Sequence, residues 1–121
     1  MMLFLAFALA TLSPGSSKAI PAFMQAGQLQ VLCSIEASQS DAELCSGYIL
    51  GSVDQVLAEQ DIWGRRRAVL CLPADVSADQ LRSVIVDHMR ENPEQSQFAA
   101  ATVIAGILTD TYACTPRKGG R

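Results

Sequence analysis

The feature that most constrains this chain is its four cysteines. Cys33, Cys45, Cys71 and Cys114 stand in only 121 residues, which leaves room for one small domain. An even set of cysteines in a short chain reads as a disulfide framework, provided that the chain meets an oxidising compartment. Rival uses of the thiols fit poorly. A structural zinc site wants cysteines two to four residues apart, and no two here are so close. Neither a C-x-x-C redox pair nor a C-x-x-C-H haem site occurs. A nucleophilic cysteine needs a base, and His88 is the one histidine of the chain.

The N-terminus supplies the oxidising compartment. Met1 to Leu12 reads MMLFLAFALATL and is apolar except for Thr11. Twelve residues of helix span about 18 Å, short of a bilayer core, so stable membrane insertion is not expected. The length suits the apolar region of a secretory signal peptide, although no Lys or Arg precedes it. Ser13, Pro14 and Gly15 break the run, and Ser17-Lys18-Ala19 offers small residues where a signal peptidase reads them. The expectation is a signal peptide over 1–19, cleaved after Ala19, and a periplasmic mature chain of 102 residues. That chain carries 8 basic and 12 acidic residues, net −4, which argues against a nucleic-acid partner. A domain of about that length buries only a modest core, so covalent cross-links would matter to it.

The mature chain is periodic at helical spacing and shows no strand alternation. The expected fold is all-α: a compact four-helix bundle stapled by two disulfides, occupying 20–114. A first helix runs from about Ala22 to Ile35, with Phe23, Ala26, Leu29 or Gln30, and Cys33 along one stripe, weakened by Gly27. A second starts at Ser40, capped reciprocally with Glu43, and ends near Glu59. Its core face is Cys45, Tyr48, Ile49, Ser52, Val53 and Val56. Gln60 to Val69 reads as a loop. Cys71-Leu72-Pro73 is extended, because the residue before proline avoids the helical region. Ser77 and Gln80 make a second capping box, followed by the stripe Leu81, Val84, Ile85, His88 and Met89. Asn92-Pro93-Glu94-Gln95 caps and starts a fourth helix that reaches about Ala113. Its core face is expected at Phe98, Ala101, Ala105, Leu108 and Tyr112, widened by Ala99, Val103 and Ile107. Thr115 to Arg121, a basic tail, is expected to be disordered.

Of the three ways to pair four cysteines, Cys33–Cys45 and Cys71–Cys114 are favoured. The first staples helices one and two across their connection. The second ties the end of helix four to the segment before helix three. His88, on an apolar stripe near a helix C-terminus, reads as a packed histidine. Gly47, Gly51 and Asp54 share a face of helix two, where small residues let another helix approach; a homodimer through that face is an expectation. Trp63 with Arg65, Arg66 and Arg67 has two readings. A lone tryptophan usually buries much of its ring, which favours a core role beside a solvated charge run. The alternative is a partner contact, since Trp and Arg are enriched at interface anchors. No metal, cofactor or catalytic constellation stands out.

The residues resemble a known family. Cys45-Ser46-Gly47-Tyr48-Ile49-Leu50-Gly51-Ser52-Val53-Asp54 is similar to the C-x-G-Y-x-x-G-x-x-D signature of the Rap/Tai immunity proteins. Cys71, Pro73, Val76, Gln80 and Val84 resemble its second block, and Asn92-Pro93-Glu94 with the helix ending in Cys114 the third. The family commonly closes with Pro-Cys, whereas Tyr112-Ala113-Cys114 and a tail stand here. The resemblance implies a small exported protein that is not an enzyme. Such a protein neutralises a peptidoglycan amidase toxin of type VI secretion by occluding its active site. It makes Gly47, Tyr48, Gly51, Asp54, Pro73, Gln80 and Pro93 family-motif positions of structural weight. A periplasmic stress or acid chaperone of the same helical build is the alternative reading.

Overall fold

The computed structural model describes residues 22–64 and 69–114. Four α-helices succeed one another: α1 over Ala26–Leu32, α2 over Gln39–Trp63, α3 over Ala78–Glu91 and α4 over Ala100–Thr111, with a 3-10 turn over Pro93–Gln97 before α4. The expected all-α bundle and both disulfides are present: Cys33–Cys45 and Cys71–Cys114.

Each helix begins and ends for a local reason, and several bounds differ from the expected ones. The first helix is half its expected length. Met24 to Ala26 is engaged elsewhere: Ala26 N donates to Phe98 O at 2.9 Å and Ala100 N to Met24 O at 2.9 Å, around an isolated bridge between Gln25 and Ala99. Phe23 therefore stands fully exposed rather than on the core stripe, while Ala26, Leu29 and Cys33 are buried as expected. The cap of α2 is Ser38, not Ser40; its hydroxyl accepts from Asp41 N at 3.2 Å. Glu43, expected to reach back to Ser40, takes a hydrogen bond from the Gln39 side chain instead. The helix runs one turn past Glu59 to Trp63, because no breaker precedes Gly64, whose φ of +86° only glycine adopts without strain.

The Ser77–Gln80 capping box forms as expected: Gln80 N donates to Ser77 Oγ at 3.1 Å and Ser77 N to Gln80 Oε1 at 2.8 Å. Asn92-Pro93 stops α3 but starts a 3-10 turn, and α4 begins seven residues later than Pro93. That delay belongs to the backbone pairing around Gln25 and Ala99, which keeps Phe98 and Ala99 out of helical conformation. The core face of α4 is accordingly rotated: Ala100, Val103, Ile104, Ile107 and Leu108 are buried, whereas Ala101 and Phe98 are exposed.

One core joins all four helices. Leu29, Ile49, Ile85, Ile104 and Leu108 are its largest fully buried side chains, one or two from each helix. Gly27 has a packing role that propensity alone hides. A Cβ there would lie 3.2 Å from both Cβ and the carbonyl oxygen of Ser96, so the glycine lets α1 rest against the 3-10 turn. Among the described residues, no helix is long and apolar enough to cross a membrane.

Candidate functional site

The feature that stands out is the C-terminal end of α2. This helix, 25 residues long, is longer than α1, α3 and α4. Its last turn carries Ile62 and Trp63, both exposed; Trp63 keeps 69% of its surface in solvent. The core reading of Trp63 is thereby overturned.

Val69 and Leu70 are held against α2 by one side chain. Gln60 accepts from Val69 N at 2.8 Å and from Leu70 N at 2.7 Å through Oε1, and donates through Nε2 to Leu70 O at 3.0 Å. Three bonds from one amide replace the ladder partners that an irregular segment lacks. Leu70 is then buried, bridges Ala113, and delivers Cys71 to Cys114. Val69 is exposed beside Trp63, and both line a groove of about 270 Å³ with Val56, Glu59 and Gln60. Sequence reasoning misses Gln60. A glutamine one turn before Gly64 at the end of a helix is the available signal, but its partners lie nine and ten residues on.

A second groove, about 630 Å³, opens between α2 and α4 and shares Val56 and Glu59 with the first. Gly47 and Gly51 line it on α2, Ala101 and Ala105 on α4. Among the described residues, these glycines are not packed against another helix: a Cβ at either would meet nothing within 4 Å. Asp54 is exposed on the same helix and bonds inside no helix contact. The packing expectation for this face is therefore not met inside the bundle; the face is open. Tyr48, in contrast, is half-buried against the core.

The remaining motif positions are structural in geometry. The Pro73 carbonyl accepts from Val76 N at 3.2 Å to close the turn before α3. Gln80 is the reciprocal cap of α3, and Pro93 is the first residue of the 3-10 turn. Pro73 and Gln80 also line a third groove, about 510 Å³, with Val84 and Tyr112. His88 is half-buried, and its carbonyl accepts from the Asn92 backbone and side chain. Among the described residues, no group of three His, Cys, Asp or Glu is placed to hold a metal ion. Arg65, Arg66 and Arg67 lie outside the described residues, as do 1–21 and the tail from 115.

Charge is distributed unevenly. All twelve carboxylates lie between Glu36 and Asp110, where the described residues hold only two arginines, Arg82 and Arg90. One ion pair, Arg90 with Asp87, forms among them. The described body is thus an acidic surface with little internal neutralisation.

No curated protein and no solved structure matches the chain. A family model does: Rap1a immunity proteins, over residues 25–114. The matched span takes in all four helices, both disulfides and every motif position discussed above. The chain belongs to the Rap1a immunity protein family.

Proposed function

We propose that this protein is an exported inhibitor without catalytic chemistry of its own. It leaves the cytoplasm by the signal peptide at 1–19 and is cross-linked in the periplasm. There it protects the cell by seating on a peptidoglycan amidase toxin delivered by type VI secretion and closing that enzyme's active-site groove. The single observation that carries this reading is the immunity-family match across 25–114. A fold tied by two disulfides supports the periplasmic setting, because such bonds persist where the environment oxidises.

Trp63 is the proposed anchor of the contact, with Arg65, Arg66 and Arg67 flanking it. An exposed tryptophan beside a groove is the residue type that dominates binding energy at interface centres. The acidic body acts at longer range: a partner with a basic surface is steered toward it, faster at low salt than at high. Inhibition by occlusion needs no reacting group, only a rigid surface, and the disulfides and the Gln60 clip supply rigidity next to Trp63.

The test is co-purification. The mature protein, immobilised and exposed to periplasmic extract of a toxin-producing strain, should retain a cell-wall amidase with nanomolar affinity. Trp63→Ala should weaken that binding by about thirtyfold, the effect of losing a hot-spot side chain. Cells should lose protection when export is blocked. Recovery of no wall hydrolase, or protection that persists without export, overturns the reading.

A further inference from the structure

The two disulfides have the same chemistry but opposite surroundings. Cys33 is 3% exposed and Cys45 0%; their bond lies in the core with Leu29 and Ile49. Cys71 is exposed and Cys114 half-buried. Thiol–disulfide exchange requires an attacking thiolate to reach one sulfur along the S–S axis, so access decides which bond reacts. The buried pair is reached only when the bundle opens, and that happens in a small fraction of molecules. The outer pair is reachable in the folded protein.

We propose that Cys71–Cys114 is a thiol–disulfide exchange site for a dithiol reductant, protein or small molecule, whereas Cys33–Cys45 is a permanent cross-link. A thiolate of the dithiol attacks the sulfur of Cys71, the more exposed residue of the two. A mixed disulfide forms and Cys114 departs as thiolate, taking up a proton from water. The second thiol of the reductant then attacks its own sulfur in the mixed disulfide and releases Cys71. Two electrons pass to the protein, and the dithiol becomes a disulfide.

In the oxidised protein Cys71 N donates to Tyr112 O at 2.8 Å and Cys114 N to Val69 O at 3.3 Å, the second bond resting on the position that the disulfide gives Cys114. The Gln60 clip holds Val69 and Leu70 independently of the sulfurs, and Leu70 remains buried in the core. Reduction therefore loosens one end of the bundle without dissolving it. That end is the one carrying Trp63, because Val69 lines the groove with Trp63 while its carbonyl binds Cys114 N. Redox state thus sets the stiffness of the Trp63–Val69 groove. Where Trp63 meets a toxin, exchange tunes that contact; this consequence alone rests on the function proposed above, and the exchange itself needs no partner.

The test uses the full-length protein as isolated, oxidised, without any toxin. It is incubated under native conditions with graded dithiothreitol, quenched by alkylation, and mapped by peptide mass spectrometry while helical circular dichroism and Trp63 emission are followed. The site assignment expects Cys71 and Cys114 to be alkylated together, at least about tenfold faster than Cys33 and Cys45. Helical signal should be kept and the emission or acrylamide quenching of Trp63, the only tryptophan, should change. The double variant Cys71→Ala with Cys114→Ala should reproduce the Trp63 change without reductant. Equal rates for the two pairs, faster reaction of the inner pair, loss of helix in step with outer-pair reduction, or an unmoved Trp63 each overturn the proposal. The alkylation map decides the matter even if the variant fails to fold.

Discussion

Replacing each disulfide first by alanines and then by serines separates two effects that the cross-links combine. The chain-entropy contribution depends on loop size. Cys33 and Cys45 are 12 residues apart and Cys71 and Cys114 are 43 apart. Restricting the unfolded chain is then worth about 2.8 kcal/mol for the inner bond and about 4.0 kcal/mol for the outer one. On entropy alone, the outer bond matters more. Burial works the other way. Serine hydroxyls at positions 33 and 45, which are 3% and 0% exposed, lose their water, and each costs about 1–3 kcal/mol where no partner is found. At positions 71 and 114, solvent satisfies most of the same hydroxyls. The expected result is a serine pair roughly 2–6 kcal/mol less stable than the alanine pair at 33 and 45. At 71 and 114 the two pairs should agree within about 0.5 kcal/mol. Urea unfolding followed by circular dichroism, with a shared m-value, gives the four free energies. Serine and alanine pairs of equal stability at 33 and 45 would refute the buried placement of the inner disulfide.

Three further substitutions probe the elements around it. Gly64→Ala should destabilise the fold by about 1–3 kcal/mol, because φ +86° with ψ 155° lies where only glycine is at ease; thermal melts would show it. Gln60→Ala frees the backbone of Val69 and Leu70 and should cost about 1–3 kcal/mol, with faster amide hydrogen exchange at those two residues and little change in α3. Gly27→Ala is a test of sign: helix propensity alone gives a gain of about 0.8–1 kcal/mol, whereas the 3.2 Å approach to the Ser96 carbonyl predicts a loss by urea unfolding.

The parts legible in the sequence are those set by near neighbours. The Ser77–Gln80 cap is readable because donor and acceptor lie three residues apart and no rival serine stands close by on its N-terminal side. Ser38 and Ser40 compete for the start of α2, and periodicity alone does not choose between them. The helix count and the core residues of α2 and α3 derive from spacing, and the favoured cysteine pairing matches the bonds observed. The features that sequence hides are non-local. The late start of α4 and the short α1 both come from pairing between residues near 25 and near 99. The exposure of Trp63 depends on which surfaces the assembled bundle leaves uncovered, a property of the fold rather than of residues 60 to 64. Gly47 and Gly51 read as packing positions because small residues permit close approach, but permission is not contact, and among the described residues no helix comes to meet them.

The measurement that bears most directly on the whole account is the intact mass of the protein recovered from the periplasm, taken before and after reduction and alkylation. A chain beginning at Ile20, four hydrogens lighter than its reduced sequence, and taking up four alkyl groups only after full reduction, is the predicted result. A chain that still carries Met1 to Ala19, or one whose cysteines all react without reductant, would contradict it.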